Sequence, residues 1–415
     1  MAAAGISLAV AIGVTGCGSV QKLNAKDSVT DALSSFEKAK SATFTVSLDT
    51  TAADVAAISK AQGEPMSKSD QKTFAKVLAG DVVFSVEAAD GKTFGDSAKA
   101  GSDTAGSGDL QALLGDPAKL SKLLKEQGAF AMSVRLSGDA LVDLRSVDGK
   151  IYARANVKQI LKLAGQKPDL VDEQLSGLPP AMAPLAKAAK GEWVALDLAK
   201  AAAAAKDSGL LNALPTSAPS PSVDAAKVQK LMDDLKKAYQ EKATITDLGE
   251  NGDRGKGYRL GAPAKQVAEA ISGDLIALVG KESETEIRKT ITEIPDKTFS
   301  VDLWVKDDNL SAVSLDLTQF LEKPATGHKL AVDIDIDVNS GKVEAPSGAT
   351  EIDVKELLSQ FPAGALAGGG LPSGADSDSD SSGSVPDLDA QRDILKQSGM
   401  TDDQIDELLK SQSGT

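Results

Sequence analysis

Cysteine and histidine each occur once in this chain of 415 residues, and aromatic side chains make up only 3% of it. The single thiol, Cys17, excludes an internal disulfide and a multi-thiolate metal site. His328 stands alone between Gly327 and Lys329, at the start of a strand-like run, and reads as a surface residue. No G-x-S-x-G elbow offers a nucleophile. Gly368-Gly369-Gly370 has no strand before it to make a phosphate-cradling loop. No enzyme is therefore expected, and neither a cofactor nor a metal. Scarce aromatics mean that any core is built from Ala, Val, Leu and Ile. Basic charge is also short: 45 Lys and Arg stand against 60 Asp and Glu, a net charge of −15. That excludes nucleic acid as a partner and argues against attraction to anionic headgroups by overall charge. No segment beyond the N-terminus is apolar over the roughly 20 residues that a membrane-crossing helix needs.

What is present begins at the N-terminus. Ile6-Ser7-Leu8-Ala9-Val10-Ala11-Ile12-Gly13-Val14 is too short to span a bilayer but suits the apolar region of a signal peptide. It ends in Val14-Thr15-Gly16-Cys17-Gly18-Ser19, which resembles the bacterial lipobox. The peptidase needs small side chains at the scissile bond, and the thiol of Cys17 accepts the acyl groups. The expectation is an extracytoplasmic protein held to the cell membrane by lipid on Cys17. No Lys or Arg precedes the apolar run, so the natural start is expected upstream.

The chain divides into a signal peptide and lipobox (1–17), a tether (18–27), a main body (28–358), a Gly/Ser/Asp linker (359–385) expected to be disordered, and a small helical hairpin (386–415). Ser28 with Asp31 makes a capping-box pattern that opens a helix carrying Val29, Ala32, Leu33 and Phe36 at helical spacing. Period-two alternation then marks strands. Phe44, Val46 and Leu48 share one face of the first, and similar runs occupy 82–86, 130–136, 141–147, 151–157 and 193–198. Residues 52–79 and 110–127 read as helical and 99–109 as a Gly/Ser loop. Residues 213–222, rich in Pro and Ser, read either as a domain linker or as a long excursion between strands. Beyond them come a helix around Val228, Leu231 and Leu235, a hairpin about Asn251-Gly252, a helix at 263–279, and strands at 299–305, 310–317 and 330–338. Asp333, Asp335 and Asp337 alternate along the last strand and are expected on its solvated face. The closing hairpin is too small to stand alone, so it docks on the body or binds a protein partner.

About eleven mostly antiparallel strands with inserted helices make an α+β chain. Together with the lipobox, the order resembles the actinobacterial lipoproteins of the LppX and LprG type, which share a fold with the carrier LolA. The matching residues include Ala42-Thr43-Phe44-Thr45-Val46, Ser146 to Tyr152, Gly191 to Asp197, Phe299 to Val305, and Lys342-Val343-Glu344-Ala345-Pro346. The resemblance implies a strongly curved antiparallel half-barrel whose concave face is covered by helices over an apolar cavity. It further implies that the cavity binds a lipid or lipoglycan and carries or presents it at the outer face of the cytoplasmic membrane. The wall residues would then be Phe44, Val46, Leu48, Phe84, Phe130, Met132, Val134, Phe299, Val301 and Leu303. The body is longer than that family's, with residues 52–79, 99–109 and 201–221 as extra insertions. The alternative is an interaction or regulatory lipoprotein of the same fold, its apolar faces filled as ordinary core.

Overall fold

The alternating runs form strands, and the strands form a single sheet. The computed structural model describes residues 20–96 (Asp90 excepted), 128–208 and 225–360 (322, 324 and 325 excepted), with a few isolated positions between 116 and 126. Cys17 and the lipobox, the 99–109 loop, most of 110–127, the 213–222 segment, the linker beyond residue 360 and the 386–415 hairpin lie outside the described residues.

The elements run helix α1 (Val20–Lys38), strand β1 (Ser41–Thr50), helices α2 (Ala52–Gln62) and α3 (Lys68–Val77), then β2 (Gly80–Glu87), β3 (Ala129–Leu136), β4 (Asp139–Val147) and β5 (Lys150–Ala155). Helices α4 (Val157–Leu163), α5 (Leu170–Ser176) and α6 (Ala183–Ala189) precede β6 (Val194–Asp197) and α7 (Leu198–Asp207). The second half holds α8 (Ala225–Lys242), β7 (Thr244–Asn251), β8 (Gly255–Pro263), α9 (Ala264–Val279), α10 (Glu284–Glu293), β9 (Thr298–Lys306), β10 (Asn309–Asp316) and β11 (Leu330–Val338). A short β12 (Thr350–Glu351) and α11 (Val354–Gln360) close the described body.

Twelve strands pair in the order β12-β6-β5-β4-β3-β2-β1-β11-β10-β9-β8-β7, an open, curved sheet in a mixed α+β body. The expected eleven are all there. The twelfth, β12, pairs parallel to β6 and is only two residues long, too short to carry any periodicity. Two antiparallel meanders, β1–β6 and β7–β11, join where β1 pairs with β11 from Ala42↔Val338 to Thr50↔Leu330. Strands on either side of residues 213–222 thus belong to one hydrogen-bonded sheet, β6 near one edge and β7 at the other. Turn chemistry sets the registers. Asp148 and Gly149 both have positive φ (52° and 78°), the backbone of a two-residue hairpin turn whose twist suits its strands. Asp307 and Asp308 do the same between β9 and β10, since Asp tolerates that region better than most side chains.

Pairing places the apolar positions on one face of the sheet. Over β8–β11 that face is sealed by α1. Val29 and Ala32 are buried with Tyr258, Leu310, Val313 and Ile336, and Leu303 beneath them has no exposed surface. Helix α1 is already formed at Val20, ahead of the expected opening at Ser28, so residues 20–27 of the stretch expected as a tether are helix. Ala25, one turn ahead of Val29, is buried in the same cluster, and tertiary burial outweighs the local capping signal. Capping boxes form instead at Thr51 with Asp54 and at Ser67 with Asp70. A smaller cluster of Ala238, Ala262 and Val267 holds α8 and α9 against the same face beside β8, and Lys230 bridges Asp234 and Asp274 across the two helices.

The opposite, polar face is not simply solvated. Asp333, expected on a wet outer face, is only 5% exposed. It accepts hydrogen bonds from Arg254 Nη1 (2.9 Å) and Ser314 Oγ (2.5 Å), while Arg254 Nη2 reaches Asp335 (2.9 Å). Burial works against the guanidinium's charge, but the bonds to Asp333 and Asp335 outweigh it and hold the Arg254 pKa above its ordinary value. The same guanidinium lies 5.2 Å from the Trp304 ring, and Trp304 rests on Gly257, where an added Cβ would meet the indole nitrogen at 3.0 Å. The turn between β7 and β8 is thereby fastened to β11, skipping two strands.

A strap at 339–349 crosses the polar face of the other meander. Asn339 N–H donates to the Ser41 carbonyl (2.7 Å), Val343 N–H to Glu87 Oε2 (2.8 Å), and Arg145 Nη1 to the Glu344 carbonyl (2.8 Å). Thr350 N–H then reaches the Trp193 carbonyl (2.9 Å) and begins β12. Arg145 and Arg154 lie 5.0 and 4.7 Å from the Trp193 ring.

Two substitutions probe these contacts. Leu303→Ala is expected to lower the unfolding free energy by about 3–5 kcal/mol, the cost of a cavity in a fully buried aliphatic site. Arg254→Met should lower it by about 2 kcal/mol, because Asp333 is left buried without its cation, and adding Asp333→Asn should restore part of the loss. Urea midpoints measure both; an unchanged midpoint for either single variant refutes the corresponding assignment.

Candidate functional site

The candidate site is the part of the apolar face that α1 leaves uncovered. Registers from β1 to β5 align Val46, Val82, Val134 and Val142 in one row, with Ala155 at its end. The next row holds Phe44, Phe84, Met132, Leu144 and Ala153, and a third holds Ala42, Val86, Phe130, Ser146 and Ile151. Apart from Ala42, every apolar side chain in these rows is only half-buried. On β2–β5 the buried side chains are instead Val83, Ser133 and Asp143, which alternate onto the polar face.

The ten expected wall residues therefore separate into two groups. Phe44, Val46, Phe84, Phe130, Met132 and Val134 lie on β1–β3 in continuous rows, with Leu48 just past the β1–β2 pairing and Phe44 also packed against the sealed core. Phe299, Val301 and Leu303 lie on β9, in the other meander. Leu303 is core, Val301 packs against that core, and Phe299 stacks on Phe320 at 4.6 Å between ring centroids. Alternation along β9 could not reveal this, because the helix that seals it lies 270 residues earlier in the chain. Sequence reading also passed over Val82, Val86, Val142, Leu144 and Ile151. They were within reach: the Asp148-Gly149 turn pairs Val147 with Lys150 and hence Leu144 with Ala153.

The two ends of this surface differ. At one, Phe36 of α1 stands edge-on to Phe44 (6.0 Å) and beside Phe94 (5.4 Å), an aromatic wall between the sealed and open parts. At the other, where β1 ends and β2 begins, Leu48 is 37% and Val77 57% exposed. Helix α3 leads into β2 at this end, and α4 leaves β5 at the same end because β2 and β5 run in opposite directions. Between the two helices lies a pocket of about 490 Å³ lined by Lys76, Asn156, Lys158, Gln159, Lys162, Leu163 and Pro168. Lys158 donates to Asp172 Oδ2 (2.5 Å), which holds the Asp172 carboxyl below its ordinary pKa. A second pocket, of about 420 Å³, shares Asn156 and Gln159 but balances its charges: Asp139 and Asp143 against Arg154 and Lys190, with Arg154 Nε bonded to Asp143 at 2.6 Å.

His328 is at the surface, its Nδ1 2.9 Å from Asp54 Oδ1. Asp54 is held below its ordinary pKa first by the Thr51 hydroxyl and then by His328. Among the described residues no cluster of His, Cys, Asp and Glu could hold a metal ion, and no helix is long and apolar enough to cross a membrane. The arrangement brings together a broad apolar surface and a cationic pocket.

Compared with known proteins, the chain matches no family profile, and no curated sequence matches it. Among solved structures, the Mycobacterium tuberculosis lipoprotein LppX aligns over 78% of this chain and 99% of its own length, with 8% identity and a TM-score of 0.28, a distant structural likeness.

Proposed function

We propose that the open part of the apolar face is the lipid-binding wall of an exported lipoprotein anchored through Cys17. In this reading the sheet is a half-barrel whose concave face is only partly filled by α1. A lipid or lipoglycan lays its acyl chains along β1–β5, and the protein carries or presents it at the outer face of the cytoplasmic membrane. One observation carries the reading: across four consecutive strands, β2–β5, no apolar-face side chain is fully buried, whereas the same face under α1 is sealed. Monomeric proteins rarely leave a contiguous apolar face partly exposed across several strands without a binding use for it. The mechanism is passive. Each methylene withdrawn from water contributes about 0.8 kcal/mol, so a chain with eight methylenes in contact gains about 6 kcal/mol, enough for retention without bond chemistry.

Native mass spectrometry of the full chain, purified without detergent from a lipid-containing host, tests this directly. The unaltered protein is expected to carry a lipid mass. Val134→Asp should lose that mass with an unchanged circular dichroism spectrum, since Val134 is half-buried and outside the core. A clean ligand-free mass for the unaltered chain would point instead to a surface for a protein partner. The anchor is tested separately: Cys17→Ala should abolish incorporation of a labelled fatty acid and move the protein from the membrane to the soluble fraction. Persistence in the membrane fraction would remove Cys17 as the attachment point.

A further inference from the structure

The chain carries a net charge of −15, yet the pocket between α3 and α4 is lined by three lysines and no carboxylate. The lysines come from two elements about 80 residues apart, Lys76 on α3 and Lys158 and Lys162 on α4. Lys158 is paired with Asp172, which stands outside the lining, while Lys76 and Lys162 have no ion-pair partner among the described residues. Lys76 and Lys162 thus bring two uncompensated ammonium groups to one concavity beside the paired Lys158, and an anion placed among them offsets that charge. Leu163 and Pro168 complete the wall with apolar surface. The pocket lies at the Leu48 and Val77 end of the open face, opposite the aromatic wall of Phe36, Phe44 and Phe94. Overall composition argued against attraction of anionic headgroups, but that argument concerns the averaged charge. At physiological ionic strength charges more than about 8 Å away are largely screened, so the local set decides.

We propose that this pocket binds the phosphate of an anionic amphiphile, with Lys76, Lys158 and Lys162 on the headgroup and the acyl chains running from there along β2–β5 toward the aromatic wall. The inference rests on the lipid-binding reading and deepens it by naming the ligand class. It also gives the ligand a direction, headgroup at the α3–α4 end and chain tips at the Phe36 end.

The test uses the delipidated full chain and a neutral pyrene-labelled long-chain alcohol as reporter. Dioleoyl phosphatidylglycerol, dioleoyl phosphatidylcholine and inorganic phosphate are compared as competitors. Phosphatidylglycerol is expected to displace the reporter at a concentration at least tenfold lower than phosphatidylcholine, and added salt should narrow the gap. In K76Q/K158Q/K162Q the gap should close to within twofold while the alcohol binds as before. The control K281Q/K289Q/K355Q changes net charge equally at exposed sites elsewhere and should keep the gap. Binding of the alcohol without headgroup preference, or a preference that survives the pocket triple, overturns the headgroup assignment alone. Failure of the alcohol to bind overturns the lipid-binding reading beneath it. Inorganic phosphate bound in the pocket as tightly as phosphatidylglycerol, measured by calorimetry, would make it a free-phosphate site and also overturn the assignment.

Discussion

The ladder between β1 and β11 holds two otherwise separate meanders in one sheet. Its partners are far apart in sequence: Ala42 pairs with Val338 and Thr50 with Leu330. Each meander is locally simple, built of strands joined mostly to their neighbours in sequence. The ladder alone places α1, which enters just before β1, over β9 and β10 of the distant half. The sealed core is therefore a contact between the N-terminal helix and the C-terminal strands. Neither end of the body can bury its apolar surface without the other.

From this division the asymmetry of the apolar face follows. One helix 19 residues long, about 28 Å at 1.5 Å per residue, cannot cover twelve strands spaced about 4.8 Å apart. Helices α8 and α9 extend the cover beside β8, and among the described residues no comparable cluster of buried side chains lies over β2–β5. The polar face, by contrast, is tied down on both halves, by Arg254 over β11 and by the strap over β1–β6. Rigidity on the polar side lets the apolar side remain partly uncovered without loss of the sheet.

The strands were legible because alternation and turn residues are local. Asp148-Gly149 and Asp307-Asp308 stood where hairpins formed, and all eleven expected strands are in the sheet. What was not legible depended on distant partners. The helix ahead of Ser28 was not expected because Ala25 is buried in the cluster that holds Tyr258 and Leu303, which no local capping signal reports. Asp333 looked like any outward carboxylate on an alternating strand until Arg254, 79 residues away, came to lie against it. Seven of the ten expected wall residues sit on adjacent strands of one meander, with Phe44 at its border with the sealed core. Leu303 and Val301 obey the same alternation but lie under a helix. The lysine pocket had no sequence signature, since Lys76 and Lys158 become neighbours only through the order of β2 to β5.

The route of the chain around the sheet bears on how the protein is made. During synthesis β1 emerges early, and its far side must wait for β11, almost the last strand of the body. Until then the nascent chain presents an unpaired β edge next to an apolar surface, the combination most prone to pairing with another chain. The strap leads out of β11 and reaches β6 only at β12, so it closes over the first meander after that edge is filled. A chain cut short just before residue 339 keeps the β1–β11 seam but lacks the strap, so the polar face of its first meander stays untied.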